Sequence, residues 1–406
     1  MSLELEYQEI GNISDVKGGK RLPKGHNLVD VPNNHPYIKV KDMANDKLLK
    51  LTPNFEYIEN KTYDEISQYI VKKEDLIISI VGTIGLTNII DSSLDNANLT
   101  ENCAKITNLK KGYNIEYIYY FFNSKIGQNL IQEATVGAVQ KKLPIKNIRS
   151  LNIPFPSLDI QNKIVEILSY IDNKIEINQE LNKNLFSIAS SLQTEWMVNF
   201  TPFKSAQFKS SAFGLIPKDW NVGKLGDVIE LLDSKRIPLS GQERENMEKI
   251  YPYYGAASLM DYVDDYIFDG IYLLIGEDGT VIDDKGFPIL QYVWGKFWVN
   301  NHAHIVKGKN GFNVDSLYLL LSKTNIQSIV TGAVQAKVNQ NNLKSIEIII
   351  PPVEVMEKFN ELIKPFFDTI RSNHDEIKEL QKLRDTLLPK LMSGEIDVSK
   401  INCDLE

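Results

Sequence analysis

The chain contains an internal repeat, and a repeat constrains architecture more than any other sequence feature. The segment GAVQKKLPIKNIRSLNIPFPSLDIQNKIVEIL begins at Gly137, and GAVQAKVNQNNLKSIEIIIPPVEVMEKFNELI begins at Gly332, 195 residues later. Upstream, IGNISDVKGGKRLP (10–23) corresponds to LGDVIELLDSKRIP (225–238), and NCAKI (102–106) corresponds to NHAHI (301–305). The offset falls from 215 to 195 along the repeat, which indicates insertions and deletions within a variable globule followed by a joint of fixed length. The sequence therefore predicts two related halves in tandem.

Each joint is followed by a segment with helical periodicity. Residues 158–200 contain no Gly or Pro, and apolar side chains recur at alternating steps of four and three, as in coiled-coil heptads. The predicted seams comprise Ile164, Leu168, Ile171, Ile175, Asn178, Asn182, Leu185, Ala189, Leu192 and Trp196 in the first helix, and Phe359, Ile363, Phe366, Ile370, Asn373, Ile377, Leu380, Arg384, Leu387 and Leu391 in the second. A single such helix could pack on the core of its own globule. Two in-frame copies, each about 50–60 Å long, favour an antiparallel stem in which each helix buries its seam against the other.

Asn178 and Asn373 occupy equivalent seam positions. A buried Asn at one seam position fixes helix register at some cost in stability. We therefore predict that these two side chains pair, or nearly pair, across the stem. Pro365 is predicted to bend the second helix or to mark its effective start, because proline lacks the N–H that a helix interior uses.

The regions before the joints are rich in short β-branched and aromatic runs such as EDLIISIVG and GKFWVNNHAHIV, which predict the strands of a mixed or twisted sheet. The predicted fold class is α+β, with two tandem α/β globules, each followed by a long helix, and a pseudo-two-fold axis through the stem. Two inverted globules at a fixed distance resemble a dimeric DNA reader made from one polypeptide.

The overall charge does not by itself favour a nucleic-acid partner, since it is −8 over 406 residues. Residues 353–406 account for −4 of it, whereas residues 1–157 carry +1 and hold their basic side chains in acid-free runs. Local basic patches can contact phosphates even when the total charge is negative. The sequence contains no apolar run long enough to cross a membrane and begins with an acidic segment, so we expect a cytoplasmic protein. Cys103 and Cys403 are too few for a disulfide framework or a zinc site.

Candidate DNA-binding residues lie in the basic turns and in the joints. Arg can bond guanine with two hydrogen bonds and Gln can do the same with adenine, whereas Lys mostly contacts phosphate. A proline follows the basic pair closely in both halves, which predicts a turn rather than a helix. The alternative is that these residues are solvated loop charges. The candidates are Lys20, Arg21, Lys24, Gln140, Lys141, Lys142, Lys235, Arg236, Gln335 and Lys337.

Motifs for intrinsic chemistry are weak. Amino-methyltransferases use an (N/D/S)-P-P-(F/Y/W) pocket, and the nearest segment, NIPF at Asn152, lacks the first Pro. The E-x-K triplets at Glu59 and Glu376 are of a kind common by chance. His302 and His304 have the spacing of two ligands on one strand face, but the sequence places no third ligand nearby, so we interpret them as structural and predict no metal site. VGTIG and GEDGT are interpreted as turns, and approach to DNA is left open for them.

The ordered set of motifs resembles the specificity subunit of type I restriction–modification systems. The resemblance covers nearly the whole chain. It rests on GAVQ followed by a basic residue and IPFPSLDIQNKIVEIL, on FGLIPKDWNVGKLGDV opening the second half, on YPYYGAASLMDYVDDYIFDGIYLLIGEDG and GKFWVNNHAHIV, and on LRDTLLPKLMSGEIDV near the end.

The resemblance implies that each globule is a target-recognition domain for one half of a split, asymmetric DNA target, and that the paired helices set the gap between the halves. Two methyltransferase subunits and, for restriction, a motor-nuclease (translocase) subunit are the implied partners. S-adenosylmethionine is then expected in the partner, with no cofactor and no catalytic residue in this chain. The implied segments are 1–156 (first recognition domain), 157–201 (central helix), 202–352 (second recognition domain), 353–398 (C-terminal helix) and 399–406 (tail).

Two other classes stay open from the sequence. One is a coiled-coil interaction scaffold or fibre-like protein without DNA specificity. The other is a self-sufficient methyltransferase, for which labelled-methyl transfer by the isolated chain is the criterion.

Overall fold

The computed structural model describes residues 5–43, 46–332 and 335–399. Contacts divide the chain into two units. Unit 1 contains the residues up to Ile177 together with those from Glu376 onward, and unit 2 runs from Asn178 to Asp375. Each unit therefore combines one globule with one half of each long helix. Beyond Ser399, the predicted tail lies outside the described residues, as does Cys403.

Unit 1 is built on a five-stranded sheet of order β2-β8-β5-β6-β4, in which only the β4–β6 pair is parallel. Two further pairs, β1–β9 (antiparallel) and β3–β7 (parallel), accompany it. The central strand β5 is buried along its whole length, as expected for a β-branched and leucine-rich run covered on both faces. The strands are β1 Glu6–Glu9, β2 Asp15–Gly18, β3 Tyr37–Ile38, β4 Leu48–Leu49, β5 Leu76–Ser79, β6 Thr87–Ile90, β7 Asn98–Leu99, β8 Cys103–Thr107 and β9 Asn152–Phe155.

An aromatic helix forms the centre of the unit 1 core. Its residues from Tyr117 to Phe122 are all buried, and the side chain of Asn114 caps it by accepting from the N–H groups of Glu116 and Tyr117. A helix that is apolar on every side is stable only when packed all round. The helices of this part of the chain are α1 Ile10–Ile13, α2 Asn60–Ile66, α3 Ile115–Asn123, α4 Lys125–Ala134, α5 Ile145–Arg149 and the long α6 Leu158–Met197.

Unit 2 repeats this plan around a six-stranded sheet of order β13-β18-β16-β17-β14-β15. Neighbouring strands in this sheet are antiparallel, except that β14 and β17 are parallel. Outside the sheet, β10 pairs with β11 and β12 pairs with β19, both in an antiparallel manner. The strands are β10 Phe208–Ser211, β11 Gly214–Pro217, β12 Asn221–Lys224, β13 Ile229–Leu231, β14 Tyr251–Tyr254, β15 Leu259–Val263, β16 Phe268–Gly276, β17 Leu290–Val299, β18 Ala303–Gly308 and β19 Glu347–Ile350. The helices are α7 Leu225–Val228, α8 Gly241–Glu245, α9 Val314–Leu321, α10 Gln340–Lys344 and the long α11 Val353–Met392.

The long helices α6 and α11 pack against each other in an antiparallel manner within each unit. In unit 1, Asp172 accepts a hydrogen bond from Arg384 at 3.0 Å, and Ile171 and Ile175 pack with Ile377. In unit 2, the ring of Trp196 contacts that of Phe359 at 5.6 Å, while Asn182 bonds Asn373. In both units, residue numbers rise along one helix as they fall along the other.

All twenty predicted seam side chains are buried or half-buried. The helix α11 begins at Val353 and continues past Pro365, so the prediction that Pro365 marks its start is wrong. The Pro365 side chain is exposed, and its carbonyl accepts from the Thr369 hydroxyl at 2.8 Å. Proline has no N–H, so the carbonyl one turn earlier lacks its helical partner. Because this face of α11 is exposed, water can bond that carbonyl instead and the helix continues.

The predicted α+β fold class is therefore confirmed: two mixed α/β globules, each followed by a long helix, and two long helices that pack together. Within the described residues, none of the helices is long and apolar enough to cross a membrane.

Candidate DNA interface

The first joint forms a tight turn at the surface of unit 1. Val136 and Lys142 exchange two backbone hydrogen bonds of 2.9 Å, and residues 137–141 close the loop between them. Gly137 has φ +100°, and a Cβ there would lie 2.5 Å from the carbonyl oxygen of Gln140. Glycine is required at this point because other residues meet both backbone strain and a clash. We call residues 137–141 the first joint turn; Gln140 and Lys141 are exposed in it, and so is Lys142 beside it.

A second turn lies directly beside the first joint turn. Lys142 also forms a β-bridge with Val81, and the N–H of Leu143 donates to the carbonyl of Ile80 at 2.9 Å. The segment VGTIG, residues 81–85, turns at Gly82, whose φ is +82°. We call it the first glycine turn. The two turns are thus held side by side by backbone bonds, so the joint cannot move independently of the sheet.

Unit 2 contains the same pair of turns. Thr331 and Lys337 exchange backbone bonds of 2.8 and 2.7 Å, and we call the described residues between them, 332, 335 and 336, the second joint turn. Gly332 has φ +92°, and a Cβ there would lie 2.1 Å from the carbonyl oxygen of Gln335. Lys337 forms a β-bridge with Asp278, beside the second glycine turn, 278–280. Residues 333 and 334 of the repeated GAVQ phrase lie outside the described residues.

The basic turn of unit 1 is open to solvent. Lys20 and Lys24 are exposed, and the ammonium of Lys20 lies 5.6 Å from the ring centre of Tyr69. Arg21 is 80% exposed and pairs with Glu101 at 2.7 Å. An ion pair this exposed contributes little to stability, so the guanidinium can exchange its carboxylate for another acceptor. These three residues lie where sequence reasoning placed them, on an accessible turn.

A shallow cavity of about 380 Å³ lies beside the basic turn. Arg21 and Asn102 both line it, and the carbonyl of Asn102 accepts from the N–H of Ile80 at 2.8 Å. Lys39 and Lys41 also line it, with both ammonium groups on the carboxylate of Glu56. The candidate surface of unit 1 therefore continues from the basic turn to the joint.

Sequence reasoning missed Lys39 and Lys41. The two lysines stand two residues apart in YIKVKD, residues 37–42, but Val40–Asp42 forms a 3₁₀ turn, so their common approach to the cavity comes from packing and not from a strand alternation. Their counterparts in the second half are Gly255 and Ala257. The two halves therefore differ in charge at this point.

The basic turn of unit 2 is arranged differently. Lys235 is exposed, but the side chain of Arg236 is only 14% exposed. Its guanidinium donates to Glu277 at 2.7 Å and to the carbonyl of Ala303 at 2.8 Å. These bonds direct Arg236 into unit 2, where it connects the basic turn to the sheet, and they leave it poorly placed to reach a base.

A buried ion pair lies beside Arg236. His304 is fully buried, with Nδ1 2.6 Å from Asp233 and Nε2 2.7 Å from the carbonyl oxygen of Val338. A carbonyl oxygen only accepts, as does a carboxylate, so both ring nitrogens carry protons and the ring is an imidazolium. Burial alone would lower the pKa of His304, but the bonds to Asp233 and Val338 outweigh it, and the pKa is raised. Burial would likewise raise the pKa of Asp233, but the bonds from His304 and from the Ile305 N–H lower it.

Asp233, Glu277 and His304 bring ligand atoms within 4.8 Å of one another, a spacing that could hold a metal ion. Because both ring nitrogens of His304 carry protons and donate hydrogen bonds, the imidazolium has no lone pair to offer a metal ion. Two other cations lie beside these carboxylates: Arg236 pairs with Asp233 and Glu277, and the ammonium of Lys337 lies 3.7 Å from Glu277. The other histidine of the HAH motif, His302, does not join this cluster and lies 2.5 Å from Asp278. The two histidines thus serve separate pairs.

The asparagines of the seam are buried. Asn178 is 2% exposed and Asn373 is 9% exposed. The side chain of Asn373 donates to Asn182 at 2.8 Å, and that of Asn182 donates to the carbonyl of Ile370 at 3.3 Å. The hydrogen-bonded partner of Asn373 described here is thus one helical turn further along α6 than Asn178. A directional amide pair penalises a slipped alignment, which would leave both groups unsatisfied.

Two α/β units that share a pair of long helices, each with the same pair of surface turns, define a tandem-repeat protein with two equivalent sites. Residues 3–186 and 217–382 match the family described as type I restriction modification DNA specificity domain, and the chain belongs to that family.

Similar proteins agree with this assignment. The MjaIX specificity subunit of a type I restriction enzyme from Methanocaldococcus jannaschii is 26% identical over 415 residues, which cover 98% of this chain and 94% of that protein. A putative type I specificity subunit from Haemophilus influenzae is 34% identical over 139 residues, about a third of each chain. The crystal structure of a type I S subunit from M. genitalium superposes with a TM-score of 0.57 at 17% identity, covering 96% of both chains. That likeness shows the fold alone.

Proposed function

We propose that this specificity subunit reads a bipartite, asymmetric double-stranded DNA target, one half through each unit. One observation supports this most directly. The same backbone bridges flank the paired turns in both units, but the side chains at these bridges differ, with Lys142 opposite Val81 in unit 1 and Lys337 opposite Asp278 in unit 2. Equivalent frames suit two similar docking events, and different side chains suit two different base sequences.

Within each unit, the candidate residues divide into two roles. Lys20, Lys24, Lys141, Lys142, Lys235 and Lys337 are proposed phosphate contacts, and Arg21, Gln140 and Gln335 are proposed base contacts. All nine are exposed. Arg236 is proposed to position the basic turn from inside.

We further propose that the chain has no catalysis of its own. Two adenine methyltransferase subunits that bind S-adenosylmethionine, and a motor-nuclease subunit for restriction, are the proposed partners, and the proposed register function of Asn178 and Asn373 keeps the paired helices in one alignment. Incubating the isolated chain with DNA and a labelled methyl donor is expected to transfer no label, and adding the methyltransferase subunit should produce transfer. Label transferred by the chain alone would support the self-sufficient enzyme instead.

Gln140 and Gln335 provide a matched test, because they occupy equivalent places in the two joint turns. Methylation by the assembled complex is measured on a library with randomised target positions. The wild-type complex should select two short blocks separated by a gap of fixed length. Gln140→Ala should relax one block and Gln335→Ala the other, so each variant serves as the control for its counterpart. A single continuous block, or one variant that relaxes both blocks, would contradict the proposal, and a complex that binds every sequence equally would favour the scaffold.

A further inference from the structure

His302 and Asp278 form a half-buried pair in unit 2. Nδ1 of His302 lies 2.5 Å from Oδ1 of Asp278, and their side chains are 46% and 21% exposed. His302 directly precedes β18, whereas Asp278 begins the second glycine turn. The pair is therefore near the second joint turn but more accessible than the buried His304 beside it.

The backbone holds both members of the pair in place. Asp278 is bridged to Lys337, and the N–H of Gly279 donates to the carbonyl of Ala336 at 3.0 Å. The N–H of His302 donates to the side chain of Asn300 at 2.8 Å, and its carbonyl accepts from Glu277 at 2.8 Å. With Nδ1 directed to the carboxylate, the orientation of the ring is set. Its Nε2 has no hydrogen-bond partner within the part of the chain that the structure describes.

Unit 1 has no equivalent of this pair. The repeated phrases NCAKI and NHAHI align His302 with Cys103, which is fully buried, and the bridge to the joint aligns Asp278 with Val81. A side chain that only one of two similar frames carries is suited to discriminate one half of an asymmetric target. The buried ion pair of unit 2 is formed by His304, which lies within β18, and not by His302.

We propose that His302 is a base-reading side chain of unit 2 and that Asp278 is its positioning residue. The inference rests on the proposed function and names a contact within it. A neutral imidazole that donates from Nδ1 to a carboxylate presents Nε2 as an acceptor. In the major groove, the complementary donors are the amino groups of adenine N6 and cytosine N4. His302 thus selects an amino-bearing base at one position of one half-site.

The test uses the complex of the full chain with its methyltransferase subunits, at one fixed salt concentration, on targets randomised at every position. His302→Ala should reduce the preference for adenine or cytosine at one position of one block by about 10-fold, the value of one good base contact. Asp278→Ala should affect the same position, and the double variant should lose no more than His302→Ala alone, because the two residues act as one unit. His302→Gln keeps a polar side chain of similar length that can form two hydrogen bonds with adenine, so it should raise the preference for adenine at that position. His374→Ala, which removes an exposed histidine from α11, should change nothing.

The outcomes separate the inference from the proposed function. If the wild-type complex prefers no base at any position, the proposed function itself is wrong. If the wild-type complex is selective, three results overturn the inference: a His302→Ala profile identical to wild type, an equal loss on all sequences as expected for a phosphate contact, or an affected position that prefers guanine or thymine. Should His302→Ala fail to fold, the same three results for His302→Gln overturn the inference in its place.

Discussion

Removing the buried imidazolium should destabilise unit 2 selectively. His304→Leu leaves the Asp233 carboxylate, itself 7% exposed, without its nearer ion partner and with only the Arg236 guanidinium at 3.6 Å. Breaking a buried pair by removing one partner costs about 3–5 kcal/mol. Asp233 keeps bonds from the Ile305 N–H at 2.9 Å and from Gln340 at 2.6 Å, which favours the lower end, about 3 kcal/mol.

The tryptophans make this loss measurable in one unit. All four of them, Trp196, Trp220, Trp294 and Trp298, belong to unit 2. Urea unfolding followed by tryptophan fluorescence therefore reports on the unit that contains His304. With a denaturant dependence of about 2 kcal/mol per molar urea, the midpoint should fall by about 1.5 M.

The stability lost in His304→Leu should depend on pH. Because the pKa of His304 is raised from 6.5, its contribution is fully present below about pH 6.5 and is lost as pH rises through the pKa of the folded state. Because the pKa of Asp233 is lowered from 3.8, its contribution is present above about pH 4 and is lost as pH falls further. The difference in stability between wild type and His304→Leu should be largest between about pH 4 and 6.5 and should shrink at alkaline pH.

The control is Lys309→Gln, an exposed change in unit 2 that should alter the free energy of unfolding by less than about 0.5 kcal/mol. A loss below about 1 kcal/mol for His304→Leu, or a difference that grows above pH 8, would refute the buried imidazolium.

Three further variants test the turns and the stem. Replacing Lys141 and Lys142 by Ala should lower the slope of log affinity against log salt by about two without changing base preference, as measured by DNA binding at several salt concentrations. Asn182→Leu should destabilise unit 2 by about 1–3 kcal/mol in urea, because the amide of Asn373 loses its acceptor, and adding Asn373→Leu should recover most of the loss. Gly137→Ala should weaken DNA binding but leave the fluorescence-detected unfolding of unit 2 unchanged, because it strains a turn in unit 1.

Each of these has a contradicting result. An unchanged salt slope would remove the two lysines from the phosphate contacts. A double Leu variant less stable than Asn182→Leu alone would show that the amide pair does not account for the single loss. Full DNA affinity of Gly137→Ala would mean that the first joint turn does not contact DNA in its present shape.

The long-range architecture could be predicted from the sequence because it depends on periodic patterns. The seam spacing identified α6 and α11, and all the predicted seam positions are buried or half-buried. The joints were equally predictable, since a glycine with positive φ and a following basic residue recur at Gly137 and Gly332. Such features are local or periodic, so one chain contains enough information to find them.

Contacts between distant segments were not predictable in this way. Asn373 donates a hydrogen bond to Asn182, which is not the residue at its equivalent repeat position, because this contact is set by how the helices cross and not by the repeat offset. Lys39 likewise lines the unit 1 cavity only because residues 37–41 pack beside the basic turn. Neither pairing leaves a trace in the local sequence.

The basic turns show why equal sequence does not give equal function. KRLP and KRIP predict the same role for Arg21 and Arg236, but the residue that precedes the glycine turn differs. In unit 2 it is Glu277, whose carboxylate draws Arg236 inward, whereas the structurally equivalent residue of unit 1 is Ile80, which offers no acceptor in its side chain. Arg21 therefore stays on the surface, where it pairs with Glu101. Since Glu277 and Arg236 are 41 residues apart, only the folded sheet reveals that this arginine bonds inward, and the proposed base contacts of unit 2 are then the exposed Gln335 and the half-buried His302.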